Sequence, residues 1–444
     1  MGDKDVNSQG MPNVWAAFRQ ASTGEPPVCG MIWDTLWVDA HVATMREGDG
    51  PYGAIEDGAI AVVDGRIAFV GPRQALPAGE EAARVVHRCA GRWLLPGLVD
   101  SHTHLVFAGT RALDFEMRLE GADRAALYAA GRGIPATVRD TRAASFDDLL
   151  TSTLDRLDRL MAEGVTTVEI KSGYGLDLDT ELKQLRVARA VAERRPATVL
   201  TSFLGMHGLP PEHEGPAATY VDFVCNVSLP AAVEEGLVDI VDGGLERICF
   251  SHEEMSKVWE KATALGKPIK SHADQYADAD GAATVARFNG LSADHLECVS
   301  IRGVEAMAKA GTVATMLPGA NHMLRDPNRP PVAAFRSHGV PMALATNANP
   351  GSSPTLSPLL MMNLAAIRFD MTPAEAVAGF TRNGARALGL GDTHGTLEVG
   401  KVADFSEWRI ERPAELAYWL GGPKLCTRVV KGGAVVVQNG APMA

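Results

Sequence analysis

Five histidines stand where short apolar runs give out: His102 and His104 in DSHTH, His207 in FLGMHG, His272 in IKSHADQ and His295 in SADHLE. A neutral imidazole is a good metal ligand. In extended chain, residues i and i+2 face the same way, so His102 and His104 can reach one ion. A single histidine reads as a hydrogen-bonded core or surface residue, and that reading suits His41, His87, His213, His252, His338 and His394. Five gathered at the ends of four strands point instead to a metal centre that activates water for hydrolysis. Another strand end, ALATNANPG, carries Asn347 and Asn349 where chemistry is expected. Both are amides, neither a base nor a charged ligand near neutral pH.

The elements that must position these groups follow from periodicity. Candidate strands are 93–101, 166–172, 197–205, 238–242, 267–272, 290–295, 312–317 and 341–346. Helical patterns separate them; over 146–163, Phe146, Leu149, Leu150, Leu154, Leu157, Leu160 and Met161 share one face. Eight β-α units predict an α/β fold built on a (β/α)8 TIM-like barrel, with catalytic groups at the carboxyl ends of its strands. A doubly wound sheet is the alternative, but no G-x-G-x-x-G follows the first strand. Both ends of the chain read differently. AIEDGAIAVVDGRIAFVGP holds two Asp-Gly pairs, 57–58 and 64–65, between alternating apolar residues, a hairpin signal. LEVGKVADFSEWRI and RVVKGGAVVVQNG have the same short-strand texture. The expected organisation is a loosely ordered segment 1–30, a small β-sandwich-like domain from 31–92 and 393–444, and a barrel over 93–392.

A formal charge of −12 does not favour a nucleic-acid or acidic-membrane partner. The six cysteines (29, 89, 225, 249, 298 and 426) include no C-x-x-C pair, which suits a reducing compartment and offers no cysteine zinc site. The opening MGDKDVNSQGMPN lacks the apolar stretch of a signal peptide, and no apolar run reaches membrane-spanning length. A cytoplasmic enzyme is expected.

PGLVDSHTHLVFAGTR, FEMRL, GVTTVEIKSGYGL, SADHLE, NPGSSPT and LLMMN resemble the imidazolonepropionase family of the amidohydrolase superfamily, over about residues 56–433. GTLEVGKVADF is similar to that superfamily's return to its small β domain. The resemblance implies a distorted barrel with a β-sandwich-like second domain, one divalent ion (zinc or iron), and a homodimer. It also implies hydrolytic ring opening of 4-imidazolone-5-propanoate to N-formiminoglutamate, a small-molecule substrate carrying a propionate. The family's metal ligands fall on His102, His104 and His272, with the fourth position on residue 347. Its substrate contacts fall on Arg111, Tyr174, His207, Gln275, Asn349, Gly351 and Ser352. Arg111 and Tyr174 would hold the propionate, a guanidinium fork matching a carboxylate, and His295 would polarise or protonate the ring.

Several positions depart from the family's pattern. The fourth ligand should be an acid, in T-D-x-N-P-G, and here it is Asn347. A substrate-facing tyrosine is replaced by Arg124, a glycine of a G-G-G-I loop by Arg132, and an apolar-aromatic pair after LPGA by Asn321 and His322. Arg124 and Arg132 also read as residues of a solvated loop. An amide at 347 can offer a neutral oxygen to the ion but cannot accept the proton that the family's carboxylate shuttles. Loss of a general base costs ~10²–10⁴ in rate. The expectation is therefore an imidazolonepropionase-like enzyme whose family route is impaired. The other readings are a close paralogue opening a related ring, such as a thioxo-imidazolidinone propionate with His322 or His295 as base, a more distant cyclic-amide hydrolase, and a non-catalytic binding protein.

Overall fold

The computed structural model describes residues 32–245, 250–421 and 424–443. The expected loose segment 1–30 lies outside the described residues. The chain begins in a small sheet with β1 (Trp33–Ala43), β2 (Ala54–Val63), β3 (Arg66–Pro72) and β4 (Ala83–Pro96). It then passes through the strands β5 (Leu98–Asp100), β6 (Val165–Lys171), β7 (Thr198–Met206), β8 (Ile240–Leu245), β9 (Lys270–Ala273), β10 (Ser292–His295), β11 (Val313–Met316) and β12 (Met342–Leu344). It returns to the small sheet as β13 (Phe405–Trp408), β14 (Cys426–Lys431), β15 (Ala434–Gln438) and β16 (Ala441–Pro442). The small sheet runs β16-β15-β14-β13-β4-β1-β2-β3, so the two ends of the chain meet where β13 pairs antiparallel with β4.

Two sequence expectations change in detail. The run expected as one strand over 93–101 is two, because Trp93–Pro96 pair with Phe405–Trp408 in the small sheet and the chain enters the barrel only at Leu98. The break falls at Gly97, where a Cβ would stand 2.2 Å from Thr166 Oγ1. Of the two Asp-Gly pairs, Asp64-Gly65 is the β2–β3 hairpin turn, with φ 49° and 72°. Asp57-Gly58 instead lies inside β2, at a bulge opposite Ala40–Val42, with Asp57 at φ 45°. Glycine suits this bulge, since a Cβ on Gly58 would meet Val42 Cγ2 at 2.7 Å.

The eight strands β5 to β12 are parallel and neighbour one another in chain order, the pattern of a (β/α)8 barrel. Their helical layer is illustrated by Phe146–Ala162, capped by Ser145, whose side chain accepts from Asp148 N. Leu149, Leu150, Leu157, Leu160 and Met161 are buried; Phe146, in the first turn, is exposed. The gap between β12 and β5 is closed by a side chain rather than a ladder. Thr346 donates to Asp100 from its N–H at 3.0 Å and its hydroxyl at 2.6 Å. Beyond it, Asn347 N–H donates to His102 O at 2.9 Å and His104 N–H to Ala348 O at 3.0 Å. Burial pushes the Asp100 carboxyl up to about 7, against the hydrogen bonds from Thr346. No helix among the described residues is long and apolar enough to cross a membrane.

Inside the barrel, the period-two alternation of the strands aims charged side chains at the axis. Glu169, fully buried on β6, accepts from Lys171 Nζ at 2.8 Å and from Lys270 Nζ at 2.9 Å. Lys171 also reaches Asp242 at 2.6 Å, and Lys270 reaches Asp294 at 3.4 Å. Charges withdrawn from water in this way persist only while paired. Glu169→Leu leaves both ammonium groups short of their shared partner. It should lower stability by about 3–5 kcal/mol in urea unfolding, the cost of breaking a buried pair from one side. A variant within ~1 kcal/mol of the parent, the worth of an exposed pair, would show that the network is not held by Glu169.

Candidate metal centre and ligand site

The strand ends bring together all five histidines singled out in the sequence. His102 and His104, just past β5, bring their Nε2 atoms to 3.3 Å. His102, His272 and His295 offer ring nitrogens within 4.8 Å of one another, and His104, His207 and His272 do the same. Ring centroids are 4.6 Å apart for His102–His272, 5.4 Å for His272–His295 and 5.1 Å for His104–His207, the last pair stacked.

Three of the five rings are held from behind. His102 Nδ1 meets Asp294 Oδ2 at 2.6 Å, His272 Nδ1 meets Asp242 at 3.3 Å, and His207 Nδ1 meets the Gly173 carbonyl at 2.9 Å. With Nδ1–H committed to Asp294, the His102 Nε2 lone pair is left facing His104. Among the described residues the buried Nδ1 atoms of His104 and His295 find no hydrogen-bond partner, and Glu297 Oε2 lies 3.8 Å from that of His295. Burial, reinforced by neighbouring imidazoles and, at His102, by Lys171, pushes His102, His104 and His295 well below the usual histidine range. Burial and His272 bring His207 down to about 4. Neutral imidazoles with anchored outer nitrogens and converging lone pairs fit a divalent ion.

The backbone under these groups is strained. His295 and Leu296 have φ of 84° and 73°, and Asn347 has φ of 50°. Non-glycine residues in this region cost about 1–3 kcal/mol each and persist where the surroundings over-determine them.

Asn347 is buried, and its side-chain oxygen accepts from Asn349 Nδ2 at 3.1 Å. Asn349 is the keystone of the turn: its Oδ1 accepts from Gly351 N and Ser352 N, both at 2.8 Å, and its Nδ2 also donates to Asn347 O at 2.6 Å. Ser352 Oγ lies 3.1 Å from Asn349 Nδ2. Arg111 packs on this turn so closely that a Cβ on Gly351 would stand 2.6 Å from Arg111 Nη1. Tyr174 is buried with its ring 5.2 Å from that of His207. The SGYG loop that carries it wraps Glu181, which accepts from the N–H groups of Gly173, Gly175 and Leu176 at 2.8–3.2 Å. Gln275 is buried just beyond β9, where its carbonyl accepts from Cys298 Sγ at 3.4 Å.

Asn321, His322 and Arg132 contact no histidine of the cluster among the described residues. His322 is exposed on the helix Pro318–Met323 and belongs to neither histidine grouping. Asn321 beside it turns away, accepting from Arg368 Nη2 at 2.9 Å and donating to Asn328 O at 2.7 Å. Arg132 pairs with Asp114 at 2.8 Å. Arg124 opens the helix Arg124–Ala129, and its side chain lies outside what is described. Asp242, Asp294, Lys171 and Asp114 also belong to the site, and no motif marks them out as site residues in the sequence. The available signal was position: Asp294 immediately precedes His295, and Asp242 ends an expected strand.

The amidohydrolase family matches residues 93–435. The chain belongs to the amidohydrolase family. Among its relatives is the imidazolonepropionase of Ralstonia nicotianae, 54% identical over 403 residues that cover 90% of this chain and 98% of the relative. The imidazolonepropionase of Caulobacter vibrioides is 53% identical over 402 residues, covering 90% of this chain and 100% of the relative. In solved structures the fold recurs in a zinc-bound adenosine deaminase from Xanthomonas campestris, with a TM-score of 0.71, 19% identity, and 94% and 95% of the two chains covered. It recurs again in N-isopropylammelide isopropylaminohydrolase from Burkholderia multivorans, with a TM-score of 0.67, 20% identity, and 92% and 100% covered.

Two outcomes follow for this amidohydrolase. Asp294→Asn should weaken zinc binding about 10–100-fold in chelator competition, since it removes the carboxylate that orients His102. Unchanged affinity would remove Asp294 from the site. In the metal-free protein His102, His104, His207 and His295 resist protonation when folded but accept it near pH 6.5 when unfolded. The unfolded state therefore binds more protons on acidification, and stability should fall as pH drops from about 6.5 toward 4. Urea midpoints that stay level across that window would contradict the burial of these rings.

Proposed function

We propose that this amidohydrolase opens the ring of 4-imidazolone-5-propanoate with water to give N-formiminoglutamate, and that Asn347 slows it. The observation that carries the reading is the convergence of five imidazoles beside the Arg111–Gly351 contact, in a chain 52–54% identical to proteins called imidazolonepropionase. The chemistry resides in the barrel, which begins at Leu98 rather than at 93 and runs to about 392, with the flanking segments as the small domain, and the enzyme works as a homodimer in the cytoplasm.

His102, His104 and His272 hold one zinc or iron ion, with residue 347 in the fourth position. A divalent ion there supplies Lewis-acid activation of water. Arg111 and Tyr174 take the substrate's propionate, while His207, Gln275, Gly351 and Ser352 line the ring, and Asn349 shapes the turn beneath it. His295, neutral, with no hydrogen bond at Nδ1 among the described residues and Glu297 Oε2 3.8 Å away, faces the ring and exchanges its proton. Asn347 cannot take the proton from water, and its oxygen already accepts from Asn349.

That last observation also favours a second reading, in which the chain opens a related ring, such as a thioxo-imidazolidinone propionate, with His295 as the base. Asn347→Asp separates the two. The first expects hydrolysis of imidazolone propionate to rise at least ~10²-fold, the lower end of the general-base range. The second expects the parent to turn over the thiolated ring and the Asp variant to be slower on it. A chain that is stabilised by these ligands and turns over neither would be a binding protein.

A further inference from the structure

The helix Ala112–Leu119 carries more positive charge toward the ligand turn than the proposed reaction's known contacts use. Arg111, Asp114 and Arg118 are spaced i, i+3 and i+7, so they share a face. Asp114 is fully buried and takes Arg111 Nε at 2.6 Å, Arg132 Nε at 2.8 Å and Gly133 N–H at 2.9 Å. Both arginines are gripped through Nε, which holds each guanidinium in a fixed orientation. Arg118 approaches the same turn as Arg111, donating from Nη2 to the Gly351 carbonyl at 3.3 Å. It forms no ion pair among the described residues. Arg111 and Arg132 share one carboxylate and Arg118 pairs with none, so positive charge outnumbers negative where Arg111 and Arg118 meet Gly351, in a chain whose overall charge is −12. Like charges held close and half out of water cost free energy until an anion joins them. The strain registers on Arg118, whose guanidinium is pushed below its usual range by burial and then by Arg111.

We propose that Arg118 is a second carboxylate-binding residue, acting with Arg111 across Gly351, and that Asp114 and Arg132 position the pair. The proposal rests on the functional reading above insofar as the ligand is a small ring bearing a carboxylate side chain. Two forks on one carboxylate make the site selective for an anionic side chain over a neutral one of the same length.

The test compares 3-(imidazol-4-yl)propionate with the corresponding alcohol, 3-(imidazol-4-yl)propanol, by calorimetry on the metal-loaded protein. The parent should prefer the acid. Arg118→Gln should weaken the acid by about tenfold or more, the worth of a hydrogen bond to a charged group, and leave the alcohol and the melting temperature unchanged. Arg118→Lys, which keeps the charge but loses the fork, should fall between. Asp114→Asn should lower acid affinity through a misplaced Arg111, with Asp114→Glu recovering part of it. The proposal is overturned if Arg118→Gln binds both probes as the parent does, if it loses both equally, or if the parent does not discriminate. Acid selectivity that depends on Arg118, in a chain whose Asn347→Asp variant leaves imidazolone propionate intact, would sustain the clamp and reject the substrate.

Discussion

Charge that is shut away from water must be matched group by group, and in this barrel the matching starts at Glu169. Its carboxylate lies between Lys171 and Lys270, all three fully buried. Each lysine then reaches a second acid, Asp242 or Asp294, and each of those acids meets the outer nitrogen of a histidine, His272 or His102. Ring orientation at the metal centre is thus tied to strand register: a one-residue slip of β6 would turn Glu169 and Lys171 out of the axis. The two acids are perturbed in opposite directions. Burial works against ionisation at Asp242, but Lys171 and His272 hold its carboxyl well below the usual range. Burial raises Asp294, with Lys270 and Lys171 only partly opposing it. Asp294 is therefore the more basic of the two, a strong acceptor for His102 Nδ1–H.

The seam of the barrel is built differently from the rest, and the candidate site lies on it. Seven joins between neighbouring strands are ladders; the eighth is made by Asp100 with Thr346 and by single backbone bonds past it. His102 and Asn347 therefore face each other through one hydrogen bond rather than a regular register, and each lies where its strand has ended. Freed from the ladder, the chain can adopt the positive φ seen at Asn347, while the turn beyond it is stitched by the Asn349 side chain. A rigid seam of side-chain bonds gives the site a fixed floor without demanding regular strand geometry there.

The histidines were legible because each terminates an apolar run, and eight such runs with helical intervals admit few architectures. The charged interior was not, because Glu169 and Lys171 look in one dimension like polar positions of any half-exposed strand. Only closure of the barrel makes that face the dry one. The SGYG motif does not disclose its own cause, which is Glu181, whose carboxylate gathers three loop N–H groups. Asn321 and His322 were expected near the ligand by analogy. Packing decides otherwise for Asn321, because the Arg368 guanidinium and the Asn328 carbonyl satisfy its amide elsewhere. Arg132 read equally as a solvated loop residue, and the ambiguity disappears once Asp114 is seen to need a second cation.

With an amide at 347, the proposed inner ligands are all neutral, so the charge of a divalent ion must be balanced from farther out. Asp242 and Asp294 are placed to do this, each acting through an imidazole whose Nδ1–H it accepts. Such an outer carboxylate makes the ring a better donor but spreads its own charge over Lys171 or Lys270 as well. Within the network that backs His102 and His272, Glu169, Asp242 and Asp294 face two lysines, so at most one negative charge is left over, less than a divalent ion requires. An aspartate at 347 would bring the missing charge to the ion itself, beside the reacting water. Under the proposed ligand set, retention and proton transfer would separate: the outer carboxylates would help keep a cation in place without a charged fourth ligand, while accepting a proton would fall to a group outside that network.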